Sequence, residues 1–249
     1  MIHDAKSGHP GGSLSSVEIM LTLYFHIMNR NLDDPERDRF VLSKGHSAPL
    51  LYTVLMEAGY IPRTTDQLRN YGSILQGHPD AMKTKGVEIS SGSLGNGLSV
   101  AAGIAAAAKI DGKKTRVYCL LGDGECDEGL VWEAAMLAPS KKLDNLIAIV
   151  DRNMLQIDGC TEDVVCLEPF SDKWRAFNWN VIECDGHNYD ALIKAFKEAE
   201  QHKEQPTVII AHTVKGKGVS FMENNVDFHG KAPNDEEIAQ ALKELGEAQ

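Results

Sequence analysis

Short apolar runs rich in strand-forming residues recur along the chain at 40–42, 116–121, 146–150, 181–184 and 208–211. Between them, apolar residues fall at helical spacing. In 13–28, Val17, Met20, Leu21 and Tyr24 share one face, with Ser13 or Ser15 available as a cap. Further helices are expected at 49–58, with Pro49 in the first turn and Gly59 as the stop, and at 65–71, capped by Thr64 or Thr65. Others are expected at 98–110, 130–137, 171–177, 191–200 and 235–245. In 98–110 the small residues Ala101, Ala102, Ala105 and Ala106 predict very close packing against a neighbour. The stretch 116–155 reads as strand, helix, strand, one βαβ unit. Alternation of this kind predicts an α/β fold: a doubly wound, mostly parallel sheet of about five or six strands with helices on both faces. Of the connectors, 31–39 is charged, 75–88 a long polar loop, 89–97 glycine-rich, 158–170 irregular, and 213–229 polar and lid-like.

At 249 residues the chain can bury a full core, and a single domain, 1–249, is the simplest division. Lys plus Arg total 25 against 36 Asp plus Glu, a net charge of -11. That balance argues against a nucleic-acid surface or attraction to anionic membranes, so an anionic ligand must be held by local groups. Five cysteines with no close metal-type pairing read as reduced thiols. No apolar run approaches the roughly 18–20 residues of a membrane span, and no signal-like start is present, which predicts a soluble, cytoplasmic protein.

The candidate chemistry gathers at the two strand ends of 116–155. Ligands of parallel sheets sit outside the carboxyl ends of the strands, so Asp123 and Asn153, each just past a strand, should face one crevice. Asp123 offers a carboxylate, Asn153 an amide oxygen and Leu155 a backbone carbonyl, hard oxygen donors of the kind Mg²⁺ prefers alongside phosphate. Gly122 and Gly124 let backbone approach a phosphate closely, and the following helix can present free N–H groups to it. Gly-Asp-Gly alone is an ordinary turn; the Asn at the end of the next strand distinguishes it. Gly95, Gly97 and Val100 fail the dinucleotide fingerprint at its third position, and Asp185-Gly186-His187 has no matching Asn, so His187 reads as structural or surface. His3, His26, His202 and His212 read the same way.

Gly122-Asp123-Gly124-Glu125, then Glu128-Gly129, then Asn153 thirty residues after Asp123, resembles the thiamine diphosphate signature in its transketolase form. Lys6-Ser7-Gly8-His9-Pro10-Gly11-Gly12, Phe40-Val41-Leu42-Ser43-Lys44-Gly45-His46 and Gly77-His78-Pro79 look like transketolase segments. So do Gly92-Ser93-Leu94-Gly95-Asn96-Gly97, Lys215-Gly216-Lys217-Gly218 and the region of His229, all in the family's order. The resemblance implies the diphosphate-binding half of a transketolase, with thiamine diphosphate and Mg²⁺ as cofactors and Ca²⁺ or Mn²⁺ as substitutes. It implies transfer of a two-carbon ketol unit from a ketose to an aldose, with the cofactor carrying the chemistry. By the same resemblance, Asp123, Asn153 and the Leu155 carbonyl hold the metal. His46, Gly92, Ser93, Leu94, Gly122, Asp123, Gly124, Glu125, Asn153 and His229 border the cofactor. His9, His78 and His229 orient sugar hydroxyls and shuttle protons near neutral pH, and Glu128 lies at a subunit interface.

Transketolases usually carry a further helical segment before the Ser-Gly-His-Pro loop, so a first helix is expected to be missing. In the family a glutamate on a separate pyrimidine-binding domain activates the cofactor's aminopyrimidine. No glutamate in these 249 residues sits in a matching motif. The resemblance therefore implies a partner, a C-terminal transketolase subunit carrying that domain, in an α₂β₂ assembly acting on a sugar phosphate or related sugar. The alternatives are a 1-deoxyxylulose-phosphate synthase-like chain, the α subunit of a keto-acid dehydrogenase, or a non-catalytic cofactor-holding subunit. The Glu125–Gly129 pattern and Lys-Gly-Lys-Gly favour transketolase.

Overall fold

A computed structural model describes residues 1–246; the last three positions of the expected domain lie outside the described residues. Five strands form one sheet: β1 (Arg39–Leu42), β2 (Val117–Gly122), β3 (Leu146–Arg152), β6 (Asn180–Asp185) and β7 (Thr207–His212). Their order is β1-β2-β3-β7-β6, with every pairing parallel. A small antiparallel hairpin, β4 (Leu155–Gln156) and β5 (Gly159–Cys160), follows β3. The expected fold class is thus the observed one, and each strand-like run became a strand.

Side-chain alternation along the strands divides the core in two. Phe40, Leu42, Tyr118, Leu120, Ile147, Ile149 and Ile209 face one layer, made by α2 (Val17–Thr22), α3 (Ala48–Glu57) and α8 (Tyr189–Gln201). Val41, Cys119, Leu121, Ala148, Val150 and Ile210 face the other. That second layer is built by α4 (Asn96–Ile110), α5 (Gly129–Ser140) and α7 (Phe170–Ala176). Burial on both faces explains why these strands read as continuous apolar runs. The connections from β1 through β3 put α4 and α5 on one face, whereas the return from β6 to β7 puts α8 on the other, as right-handed crossovers require.

Three local expectations are corrected. The helix expected over 13–28 is broken into α1 (Pro10–Leu14), α2 and a π-helical turn, Leu23–Ile27. Its break falls at Ser15 and Ser16, whose hydroxyls donate to Asp151 Oδ2 at 2.6 and 3.0 Å instead of capping a helix. Residues 65–71 form turns: Arg69 takes φ 64° and its N–H bonds Leu75 O at 2.8 Å, a partner across the loop rather than one turn back. The irregular stretch 158–170 contains β5 and a short helix, α6 (Thr161–Val164). The other helices, including α9 (Asp235–Glu244), stand within a few residues of expectation. No helix among the described residues is long and apolar enough to cross a membrane.

The N-terminal turn of α4 touches the end of β1. A Cβ on Gly97 would lie 2.3 Å from Ser43 Oγ and 2.7 Å from its Cα, so only glycine permits this approach. Gly97→Ala should therefore cost about 1–3 kcal/mol by overpacking, read as a lower urea midpoint at unchanged m-value.

Candidate functional site

Past the carboxyl ends of β1, β2 and β3 lies a cavity of about 290 Å³. Asp123, Asn153 and Leu155 line it, together with His46, Lys215 and His229. Asp123 directly follows β2, with its side chain almost fully buried. Its Oδ1 accepts from Gly124 N–H at 2.8 Å, and its Oδ2 accepts from Met154 N–H at 2.6 Å and faces Arg152 Nη1 at 3.4 Å. Asn153 Oδ1 accepts from Leu155 N–H at 3.1 Å, and Leu155 O accepts from Lys215 Nζ at 2.9 Å. The three oxygen donors expected for a metal therefore share one cavity, each with acceptor capacity left over. Burial, and then the Asp151 carboxylate, push Asp123 up to about 6, so a nearby cation would favour its charged form. Among the described residues no three His, Cys, Asp or Glu side chains converge as a metal cluster. The donors here are a carboxylate, an amide and a carbonyl, a hard mixed set that fits a divalent cation shared with phosphate.

Beneath this set is a buried ion pair that the sequence pattern did not foretell. Asp151 is fully buried and receives Lys44 Nζ, Ser15, Ser16 and Thr213 hydroxyls, and Asn153 Nδ2 at 3.1 Å. Burial alone would raise Asp151, but Lys44 and the Ser15 and Thr213 hydroxyls bring it down to about 2. Lys44 also donates to Gly12 O at 2.9 Å. Glu125, expected beside the cofactor, spends both oxygens internally: on the Ser43 hydroxyl, on Gly95 N–H at 2.9 Å and on Gly122 N–H at 3.0 Å. It is a strut joining β1, β2 and the start of α4. The helix expected at 130–137 is α5, and a 3₁₀ turn, Gly124–Asp127, separates it from Asp123.

Four histidines from distant loops meet at the rim. His9 lies 5.3 Å from His46, 5.6 Å from His229 and 6.4 Å from His78 between ring centroids, and His46 stacks on His229 at 5.4 Å. Burial pushes His9 down to about 4, with Arg69 adding to the effect. It pushes His229 down to about 3, with Lys215 adding. His46 and His78 move the same way, with burial the largest cause. The rings are thus neutral at pH 7, hydrogen-bonding groups rather than cations. His229 Nδ1 accepts from Lys215 Nζ at 2.9 Å, and Lys215, buried and near Lys44, is lowered to about 8. His9 Nδ1 is the one fully buried imidazole nitrogen without a hydrogen-bond partner among the described residues.

Of the glycine-rich loop, Leu94 lines the cavity, and Gly92 (φ 137°) lies against His78, where a Cβ would sit 2.9 Å from the ring. Ser93 turns away, its hydroxyl accepting from Asn96 Nδ2 at 2.9 Å. Glu128 is exposed at the mouth. His187 bridges Glu18 at 3.0 Å and Val214 N–H at 2.8 Å, a structural tie as expected, and His3, His202 and His212 make polar contacts away from the cavity. Lys44, Asp151 and Lys215 were the residues missed. Two stood inside the quoted Ser-Lys-Gly-His and Lys-Gly-Lys-Gly segments, and Asp151 is the acid that directly ends an apolar run.

A crevice of this kind, oxygen donors below and cations and imidazoles above, is that of a diphosphate-binding α/β domain. The family model for the transketolase thiamine diphosphate binding domain matches residues 1–249. One subunit of the apulose-4-phosphate transketolase of Phocaeicola vulgatus is 45% identical over 99% of this chain and 89% of its own length. The 6-deoxy-6-sulfo-D-fructose transketolase subunit SqwG of Clostridium sp. (strain MSTE9) is 45% identical over 96% of this chain and 88% of its own. The crystal structure of transketolase from Campylobacter jejuni superposes with TM-score 0.93 at 35% identity, covering 98% of this chain. This chain spans 40% of that longer one. The chain belongs to the transketolase family, as a thiamine diphosphate-binding domain.

The buried imidazoles set a pH dependence. The pKa of His229 in the fold, about 3, lies below the ordinary 6.5, so the unfolded chain binds more protons between these values. Its stabilising contribution is complete above pH 6.5 and is lost as pH falls towards 3. His229→Gln should flatten the decline of urea-measured stability over that window, and an unchanged slope would contradict the assignment.

Proposed function

We propose that this chain is a diphosphate-type domain and that, in a two-subunit transketolase, it grips thiamine diphosphate and a divalent cation, Mg²⁺ first. The observation that carries this reading is the convergence of Asp123, Asn153 and the Leu155 carbonyl on one cavity walled by Lys215, His46 and His229. Asp123, Asn153 and Leu155 would hold the metal, and Lys215, His46 and His229 would meet phosphate oxygens. When bound, the cofactor supplies the electron sink that lets a carbon–carbon bond beside a ketone break and re-form. His9 and His78, neutral and next to one another, would orient the sugar's hydroxyls and hold or pass their protons. The partner would supply the pyrimidine-binding domain, in an α₂β₂ assembly; relatives of nearly this length that are named as transketolase subunits support a partner. Those relatives are named for apulose 4-phosphate and 6-deoxy-6-sulfofructose, and a sugar carrying a terminal anion is the substrate class we assign here. Five free thiols support a reducing, cytoplasmic setting.

Two measurements test the reading. The purified chain, saturated with thiamine diphosphate and Mg²⁺, should transfer no ketol units until the partner subunit is added; full activity from the chain alone would refute the need for a partner. In the assembled enzyme, Asp123→Ala should weaken cofactor retention at fixed Mg²⁺ by at least about tenfold, the scale of losing one charged contact, followed by equilibrium titration. Equal affinity in both proteins would remove Asp123 from the metal site.

A further inference from the structure

Arg152, the last residue of β3, buries a permanent charge at the edge of the cavity, with its side chain 1% exposed. A buried ion network often adds no net stability over apolar packing of the same volume, so its placement calls for a reason in the site beside it. The two ends of the guanidinium face different parts of the fold. Nη1 lies 3.4 Å from Asp123 Oδ2 and donates to Thr161 Oγ1 at 2.9 Å. Nη2 donates to Glu162 Oε1 and Glu168 Oε1, each at 2.8 Å, and the cation stands over the Phe170 ring, 5.3 Å from its centroid. One planar fork thus joins the end of β2 to the segment that follows β3.

The three oxygen donors assigned to the metal are all tied to this fork. Asp123 faces it directly, with Met154 N–H at 2.6 Å on the same oxygen and Gly124 N–H at 2.8 Å on the other, so the carboxylate has little room to rotate. Asn153 is the next residue along the backbone. Leu155 pairs with Cys160 across the small hairpin. Thr161, directly after Cys160, accepts from Arg152 on its hydroxyl oxygen and gives its own N–H to Met154 O at 2.9 Å. Mg²⁺ demands a near-ideal octahedron of short contacts, whereas Ca²⁺ accepts a looser, more variable shell. Outer partners that fix a ligand's orientation therefore bear on which ion is held. We propose that Arg152 is a positioning residue of the metal site: its fork locks Asp123 and the Leu155 hairpin in one arrangement and so selects Mg²⁺ over Ca²⁺. The inference rests on the assignment of Asp123, Asn153 and Leu155 to the metal under the proposed function.

The test is the affinity of thiamine diphosphate for the cofactor-free enzyme assembled with its partner subunit, measured by equilibrium titration at matched Mg²⁺ or Ca²⁺ and needing no turnover. R152K keeps the buried charge, so the repulsion of an incoming cation is unchanged, but an ammonium cannot span the four partners. The cofactor Kd of R152K should rise about 10- to 100-fold with Mg²⁺, the scale for losing an outer partner of a metal ligand, and at least about tenfold less with Ca²⁺. E168Q alters a side chain that is 56% exposed, and so spares the fold; it should shift the ratio the same way by a smaller factor. A lower urea midpoint in R152K with the wild-type Mg²⁺-to-Ca²⁺ ratio would make Arg152 a structural tie and overturn the proposal, as would equal losses with both ions. Should R152K fail to assemble, E168Q decides alone, and a wild-type ratio there overturns the proposal. D123A separates the two readings. A loss in D123A beside an unchanged ratio in R152K leaves the metal site standing without Arg152, whereas an unaffected D123A removes the metal site and the proposal with it.

Discussion

Everything at the carboxyl edge of the sheet depends on one buried charge pair, Lys44 with Asp151. Removing two ions from water costs several kcal/mol each, and their attraction compensates only when the remaining lone pairs and protons are satisfied. Here they are: Asp151 takes three hydroxyls and an amide besides the ammonium, and Lys44 adds Gly12 O and Ser16 Oγ. Those partners come from the α1–α2 junction, the end of β1, the end of β3 and the segment after β7. Loss of either ion would leave the other buried without a counter-charge, the costly case for a low-dielectric interior. The pair also fixes chemistry next door. Because Asn153 Nδ2 is drawn to Asp151, its Oδ1 is the atom left on the side of Leu155 and the cavity.

A second constraint works through close backbone approach. Glu125 ties Ser43, Gly95 and Gly122 together while Gly97 presses α4 onto Ser43. Gly95 stands at φ 84° with Glu128 filling the space beside it, where a Cβ would come within 2.7 Å. The mouth of the crevice is therefore set by backbone contacts and a buried carboxylate rather than by flexible side chains.

Most of the sheet was legible because β2, β3 and β7 are buried on both faces and so appear in the sequence as unbroken apolar runs, whereas the edge strand β6 is half-buried and carries Glu183. Asp123 and Asn153 were legible because their spacing matches one βαβ unit. What escaped has a common cause. Ser15 and Ser16 break a good helical pattern only because Asp151, more than a hundred positions away, claims their hydroxyls. Lys44 and Lys215 look like surface lysines in sequence, and only the folded chain surrounds them with Asp151, Leu155 O and His229. In 65–71 the periodicity was real, but the bond from Arg69 N–H to Leu75 O closes a loop that a helix would have prevented.

The long connection from the end of α3 to the start of α4 contains no helix or strand, yet it carries both Arg69 and His78. It is anchored at a few buried points, Leu68, Leu75 and Thr84 among them, while many of its other side chains are exposed. The cavity that gathers Asp123, Asn153 and the Leu155 carbonyl, by contrast, rests on β2, β3 and the ion pair below them. Exposed positions of this connection can therefore vary without disturbing the sheet edge, whereas Gly92 and Gly95, on the same segment, are pinned by their close approach to His78 and Glu128.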